Sequence, residues 1–253
     1  MSESTELLYD RASVDWTRTR PLLLSDYTAR PFLLDWCKPI EGARILDLGC
    51  GEGYFARHLK RGGALSVEGI DLSRKMIERA KEQELRDDLG IRYRVGTAIA
   101  LDCFPDESLD LVVAVFLFNY MDRKEMSRSM REIRRILKPG GRFVFAVPHP
   151  SLPFSGAQEP PFYFCPGEAG YFSGRDRLFE GEIFRLDGVA VPVRCVHKTF
   201  SDYFAAFAEV GFGLMPEVEE LYVTMEMLDV DLNFFLPLLD QPLHAAFRLE
   251  KAS

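Results

Sequence analysis

One short stretch restricts the fold of this chain more than any other: Ile45-Leu-Asp-Leu-Gly-Cys-Gly-Glu-Gly53. Arg44 to Leu48 is apolar, brief and bounded by turn residues, which reads as a buried strand. Gly49, Gly51 and Gly53 then let the backbone turn tightly and pass close to a ligand, because no Cβ stands in the way. Tyr54 to Lys60 resumes with helical spacing. The result is a strand, a glycine turn and a helix in direct succession.

The same alternation continues downstream. Leu65 to Ile70 reads as a second strand, closed by Asp71, and Ser73 is placed to cap a helix from Arg74 to about Leu85. Ile91 to Val95, Leu109 to Val115 and Arg142 to Val147 read as strands three to five. A charged amphipathic helix, Arg123 to Leu137, precedes the last of these and stops at Pro139-Gly-Gly141. Strands alternating with helices at this pitch predict an α/β fold, Rossmann-like and doubly wound around a mostly parallel sheet. Ahead of it, Leu7, Leu8, Ala12 and Trp16 fall near helical spacing, Pro21 interrupts, and a second helix is expected from Ser25 to Cys37. Beyond Pro148 the pattern breaks into proline- and aromatic-rich segments. Asp187-Gly188 between two strand-like runs, Glu182 to Leu186 and Val189 to Val196, predicts a type I′ hairpin. A helix from about Ser201, a strand near Leu214 to Val223 and a last strand from Ala245 to Glu250 follow. We therefore expect one domain over 1–253: a helical cover (1–40), a nucleotide-binding core (41–147), an inserted flap (148–198) and closing elements (199–253).

Composition narrows the function. The 253 residues are 47% hydrophobic, enough for one sizeable core. A net charge of −8 argues against a nucleic-acid partner. The five cysteines are scattered without a Cys-x-x-Cys pair, so neither a disulfide framework nor a zinc site is expected. The four histidines are equally dispersed. Met1 to Trp16 lacks a signal-peptide pattern, and the longest apolar run, Leu111 to Phe118, falls short of the roughly 18 residues of a membrane span. A cytoplasmic protein with no membrane partner is the expectation.

The glycine turn departs from a dinucleotide fingerprint, since Tyr54 occupies the place of the final glycine. Asp47 just before it would repel a pyrophosphate and suits a cationic or hydroxylated ligand. Asp71 lies about 20 residues beyond the glycines at a strand end, where a carboxylate accepts hydrogen bonds from ribose hydroxyls. The two features together point to a nucleoside.

Four motifs stand in order: D-L-G-C-G-E-G, E-G-I-D-L-S, F-P-D-E-S-L-D-L-V-V-A and L-K-P-G-G-R-F-V-F. Together they resemble the class I S-adenosylmethionine-dependent methyltransferases, and more narrowly the ubiquinone-type and other small-molecule members. The resemblance runs from about Leu8 to Val147 and resumes at His197 to Tyr203. It implies a seven-stranded sheet with the last strand antiparallel, S-adenosylmethionine as cofactor, and S-adenosylhomocysteine as product. It also implies that Asp47, Gly49 and Gly51 line the methionine part, Asp71 holds the ribose, and Leu72 packs on adenine. Where the family often has Gly-Asp-Ala after strand three, this chain has Gly96-Thr97-Ala98, so Thr97 and Ala98 take that place. Val115 and Phe116 would meet the cofactor through backbone and packing, and Tyr9 would close over it from the cover, near a second aromatic, Trp16. Arg18 or Arg20 could meet the methionine carboxylate.

Methyl transfer is an in-line displacement, so alignment matters most and can supply about 7–11 kcal/mol. A base is needed only for an acceptor that arrives protonated. His149, directly after strand five, is the first candidate and His197 the second; His58 and His244 read as structural. The aromatic insertion (Phe154, Phe162, Tyr163, Phe164, Tyr171, Phe172) suggests an apolar pocket for a small-molecule acceptor. Two rivals stand beside this reading. An amide or nucleobase N-methyltransferase would carry prolines where Asn119-Tyr120 stands. A non-catalytic S-adenosylmethionine-binding protein would keep the fold without transfer.

Overall fold

The computed structural model describes residues 4–155, 158–212 and 215–252. Leu214, where the last-but-one strand was expected to begin, lies outside them.

In chain order the elements of the first half are α1 (Thr5–Trp16), α2 (Leu24–Thr28), α3 (Arg30–Trp36), β1 (Arg44–Leu48), α4 (Tyr54–Arg61), β2 (Ser66–Asp71), α5 (Arg74–Asp87), β3 (Arg92–Val95) and β4 (Leu109–Val115). Then come α6 (Arg123–Ile136), β5 (Leu137–Pro148), β6 (Phe162–Cys165), β7 (Leu178–Phe184), β8 (Ala190–Val196), α7 (Phe200–Val210), β9 (Glu217–Leu221), α8 (Met225–Val230), α9 (Leu232–Phe235) and β10 (His244–Glu250). Seven strands form one sheet in the order β3-β2-β1-β4-β5-β10-β9. Neighbours pair parallel from β3 to β5, while β10 runs antiparallel to both β5 and β9. This is the Rossmann-like, mostly parallel sheet that the alternation and the resemblance implied.

Alternation along the central strands explains why both faces are covered. Leu46, Val112, Phe143 and Phe145 point into one core with Met130, Ile133 and Phe207 of α6 and α7. Ile45, Leu111, Val113 and Val144 point the other way, onto Leu33, Phe55, Leu59 and Ile77 of α3, α4 and α5. Side chains of a strand alternate in this way with a period of two, so strands buried on both faces are apolar throughout.

The chain leaves β1 towards β2 on one side and β4 on the other. The crevice at the carboxyl ends of these strands is where open α/β sheets take ligands. A second sheet, β6-β7-β8, is inserted after β5 and is wholly antiparallel. Its apolar face shares a core with Leu23, Leu24, Phe235 and Leu243.

Three expectations are corrected. The helix expected from Ser25 to Cys37 is two helices, broken at Ala29 (φ −122°, ψ −52°). Pro31 lacks an N–H and its ring crowds the carbonyl four residues back, so α3 restarts around it. The Asp187-Gly188 turn is not type I′, since only Gly188 has positive φ (+83°). The Gly188 N–H donates to the Arg185 carbonyl and the Arg185 N–H to the Val189 carbonyl. That is a three-residue loop closed by a left-handed glycine. The short helices α8 and α9 precede β10 where only a connection was expected.

Candidate functional site

A cavity of about 410 Å³ opens at the carboxyl ends of β1, β2 and β4. Its first wall is the glycine turn. Gly49 and Gly51 have φ of +75° and +55°. A Cβ on Gly51 would meet nothing within 4 Å, so this turn presents bare backbone to open space. The Gly51 N–H donates to Asp71 Oδ2 (2.8 Å) and the Ser73 N–H to Asp71 Oδ1 (2.9 Å). These bonds fix the carboxylate of β2 beside the turn of β1. Burial pushes the Asp71 carboxyl upward, and the backbone N–H groups work against that rise.

Asp47 is nearly inaccessible at the floor, and its Oδ2 has no partner. Burial pushes its carboxyl up to about 7, Arg30 pulls it down, and the charge of Asp71 raises it further. A buried carboxylate oxygen without a donor is costly. It fits a cationic ligand group at this point.

Asp26 anchors the adjoining wall. Arg18 donates to both of its carboxylate oxygens at 2.7 Å, and Arg30 lies 3.0 Å away. Burial raises this carboxyl, but Arg30 and Arg18 outweigh it and hold it at about 2. Glu52 continues the network, accepting from Arg57 at 2.7 Å with Arg18 at 3.5 Å. The charges of this wall thus tie the segment between α1 and α2 to the glycine turn.

Phe116, just past β4, has φ +59°, a left-handed conformation that is strained for an aromatic residue. Its N–H is held by the Ala146 carbonyl (2.9 Å), and its ring lies 5.7 Å from the Arg30 guanidinium and 4.9 Å from His244. Across the opening lies α1. Tyr9 hydrogen-bonds Tyr120 hydroxyl to hydroxyl, and Asp10 Oδ1 accepts from the Ser73 hydroxyl (2.5 Å) and the Lys75 N–H (3.2 Å). The cover is thereby pinned to the start of α5.

Asp47, Gly49, Gly51, Asp71, Leu72, Thr97, Ala98, Val115, Phe116 and Tyr9 all line this one cavity. Trp16 and Arg18 line it as well, but Arg18 is already engaged by Asp26; Arg20 is exposed and stands apart.

The two candidate bases do not line it. His149 points to the β9 side of the sheet. Its Nδ1 accepts from the Ser151 N–H (3.2 Å), which leaves Nε2–H to donate to Glu220 Oε1 (2.6 Å). Nε2–H of His197 donates to the Tyr171 carbonyl (2.7 Å), among the rings of Phe154, Tyr171 and Phe179. Burial lowers both imidazoles below their ordinary value. Residue position at a strand end suggested an inward His149. The strand's alternation and the partner across β10 turn it away.

The sequence reading passed over several wall residues. Arg30 faces the cavity with burial pushing it down to about 10. A lone arginine in the apolar stretch before Pro31 was the available signal. Asn119, Arg194 and His244 line the opposite end with Phe162, Phe164, Ile183 and Val193 of the inserted sheet. His244 comes from β10, so no local pattern could have brought it here.

Residues 46–145 match a family model described as a methyltransferase domain. The chain is similar to a ubiquinone biosynthesis O-methyltransferase of Ralstonia nicotianae, 32% identical over 122 residues, covering 47% of this chain and 50% of that protein. A malonyl-[acyl-carrier protein] O-methyltransferase of Erwinia pyrifoliae is 34% identical over 115 residues, covering 46% and 41%. The chain thus spans about half the length or less of these curated relatives. An S-adenosylmethionine-dependent methyltransferase from Mesorhizobium loti matches in structure with a TM-score of 0.66 and 26% identity, over 87% of this chain and 96% of that one. The ordered motifs, the seven-stranded sheet with its antiparallel strand and these similarities agree: residues 46–145 match a methyltransferase domain, and the chain has the fold of, and is similar to, the class I S-adenosylmethionine-dependent methyltransferases.

Proposed function

We propose that this chain binds S-adenosylmethionine in the cavity at the switch point of its sheet and transfers the methyl group to an O, N or C nucleophile of a small, partly apolar metabolite. One observation carries the reading: the unpartnered carboxylate oxygen of Asp47, the bare turn at Gly51 and the carboxylate of Asp71 all border the same cavity. A cationic amino group, a sulfur-bearing chain and a ribose match them in that order.

When bound, the cofactor supplies an activated methyl on a sulfonium. The protein's own residues do the rest. Asp47 takes the amino group, Gly49 and Gly51 let the chain lie against backbone, and Asp71 accepts from the ribose hydroxyls. Leu72, Thr97 and Ala98 border the adenine. Val115 and Phe116 border the sulfur, while Tyr9, latched to Tyr120, excludes water from above. The apolar face of β6-β7-β8 closes the far end and aligns the acceptor behind the methyl. We take 1–40 as a cover, 41–147 as the cofactor core, 148–198 as the substrate flap and 199–253 as the closing part of one domain. Acidic composition speaks against a nucleic-acid acceptor. Among the described residues no helix is long and apolar enough to cross a membrane, and we read the site of action as cytoplasmic.

Calorimetric titration with S-adenosylhomocysteine tests the reading. Asp71→Ala should weaken binding by about 2 kcal/mol, some thirtyfold, since hydrogen bonds to charged groups contribute about 1.5–3 kcal/mol. An equally folded variant that binds as tightly as wild type would contradict the ribose assignment. Binding without transfer across a broad metabolite extract would favour a non-catalytic role.

A further inference from the structure

We propose that His244 is the hydrogen-bond acceptor and proton sink for a hydroxyl-bearing acceptor, a role resting on the methyltransferase reading above. His244 opens β10 and lines the end of the cavity formed with the inserted sheet. Its surroundings define which ring nitrogen holds the proton. The Thr28 hydroxyl donates to the Leu24 carbonyl at 3.0 Å. Its one proton is thereby spent, so across the 3.0 Å contact Thr28 Oγ1 accepts from His244 Nε2–H. Nδ1 is then left with a bare lone pair, and it has no hydrogen-bond partner. The ring is nearly inaccessible to solvent and lies 4.9 Å from Phe116 and 5.8 Å from Phe162.

A buried acceptor without a donor carries a desolvation cost of about 1–3 kcal/mol unless a ligand supplies the proton. The neighbouring walls are apolar and aromatic: Phe116, Phe162, Phe164, Ile183 and Val193. A hydroxyl on an apolar ring matches both features. Arg30 and His149 are the charged or titratable groups whose fields reach the imidazole, and both oppose a charge on it. His244 therefore waits as a neutral acceptor. A hydroxyl bound to Nδ1 turns an oxygen lone pair towards the methyl donor. As the O–CH3 bond forms and the C–S bond breaks, the hydroxyl proton passes to Nδ1 and the sulfonium becomes a neutral thioether. An oxygen under methylation is a far stronger acid than imidazolium, so a weak base suffices. The proton then leaves to water with the product.

The test uses the full chain, labelled with nitrogen-15 in its histidine rings and loaded with S-adenosylhomocysteine. Nitrogen NMR reads Nδ1 and Nε2 of His244, assigned by their loss in His244→Phe. We expect Nδ1 in the unprotonated range and Nε2 in the protonated range. Adding p-cresol should shift Nδ1 towards the protonated range, whereas 4-methylanisole, with the same ring and no O–H, should not. A protonated Nδ1 in the starting protein, no shift with p-cresol, or an equal shift with both probes would overturn the proposal. A shift with p-toluidine alone would overturn the hydroxyl assignment in favour of an amine. Failure of the cofactor reading shows separately, as absence of S-adenosylhomocysteine binding, and the His244 tautomer is still read on the unloaded chain.

Discussion

The two ends of the cavity are built by different means. The end at the glycine turn comes from strand termini and the residues directly after them: Asp47 and Gly49–Gly51 at the end of β1, Asp71 and Leu72 at the end of β2, Thr97 and Ala98 just past β3, Val115 and Phe116 at the end of β4. The other end gathers Arg30, Asn119, Phe162, Ile183, Arg194 and His244 from six separate parts of the chain. The first end carries two carboxylates beside bare backbone; the second sets Arg30, Asn119, Arg194 and His244 among the apolar and aromatic side chains of the inserted sheet. The difference teaches that a nucleoside can be gripped by local backbone geometry, whereas an acceptor pocket is a product of tertiary assembly.

The comparison can be broken most sharply at Gly51. Gly51→Val places a branched side chain in a left-handed backbone and inside the cavity. Strain of about 1–2 kcal/mol should show in the melting temperature. Affinity for S-adenosylhomocysteine should fall by at least about a hundredfold, some 2.8 kcal/mol. Near-normal affinity would mean that the turn does not face the cofactor.

Asp47→Asn sharpens the same end, with a loss of about 1.5–3 kcal/mol in affinity. It also carries a pH signature. The free carboxyl titrates near 7, raised by burial against the pull of Arg30. A cationic amino group binds the ionised form, so wild-type affinity should weaken as pH falls through about 7 and binding there should release a proton. The Asn variant should show neither effect. Calorimetry in buffers of different ionisation enthalpy counts the proton, and an unchanged pH profile in the variant would remove Asp47 from the contact.

His149→Ala probes the region outside the cavity and should have the smallest effect on the site. Loss of its bonds to Ser151 and Glu220 should lower stability by about 1–3 kcal/mol and leave cofactor affinity within about twofold. Its imidazole is lowered in the folded chain from 6.5, chiefly by burial. The unfolded chain takes up that proton first, so this contribution to stability is present above 6.5 and is lost as pH falls below it. The variant should lose this part of the acid sensitivity. A selective collapse of transfer in a stable His149→Ala protein would restore it as a base.

What the sequence made legible follows the same divide. The central strands β1, β4 and β5 announced themselves by apolar runs between turn residues, and each cofactor-side position except Tyr9 of α1 sits within a few residues of a strand end. The seven-strand count and the antiparallel last strand followed from the resemblance, because periodicity alone carries no pairing information; the strand order was read from the structure. Pro31 was visible, yet its breaking of the helix at Ala29 was not anticipated. His149 shows why adjacency to a strand end is insufficient: alternation and the partner Glu220 on β9 turned its ring away from the cavity. His244 shows the converse, since its position depends on β10 pairing with β5 and on Thr28 more than two hundred residues earlier. Long-range contacts of this kind leave no local trace.

A crystal of this chain grown with S-adenosylhomocysteine would test the grip on the nucleoside most directly. The account predicts both ribose hydroxyls within hydrogen-bond reach of the carboxylate at 71, with the amino group against the carboxylate at 47. Density for the ligand elsewhere, or a ribose turned towards the inserted sheet, would contradict it.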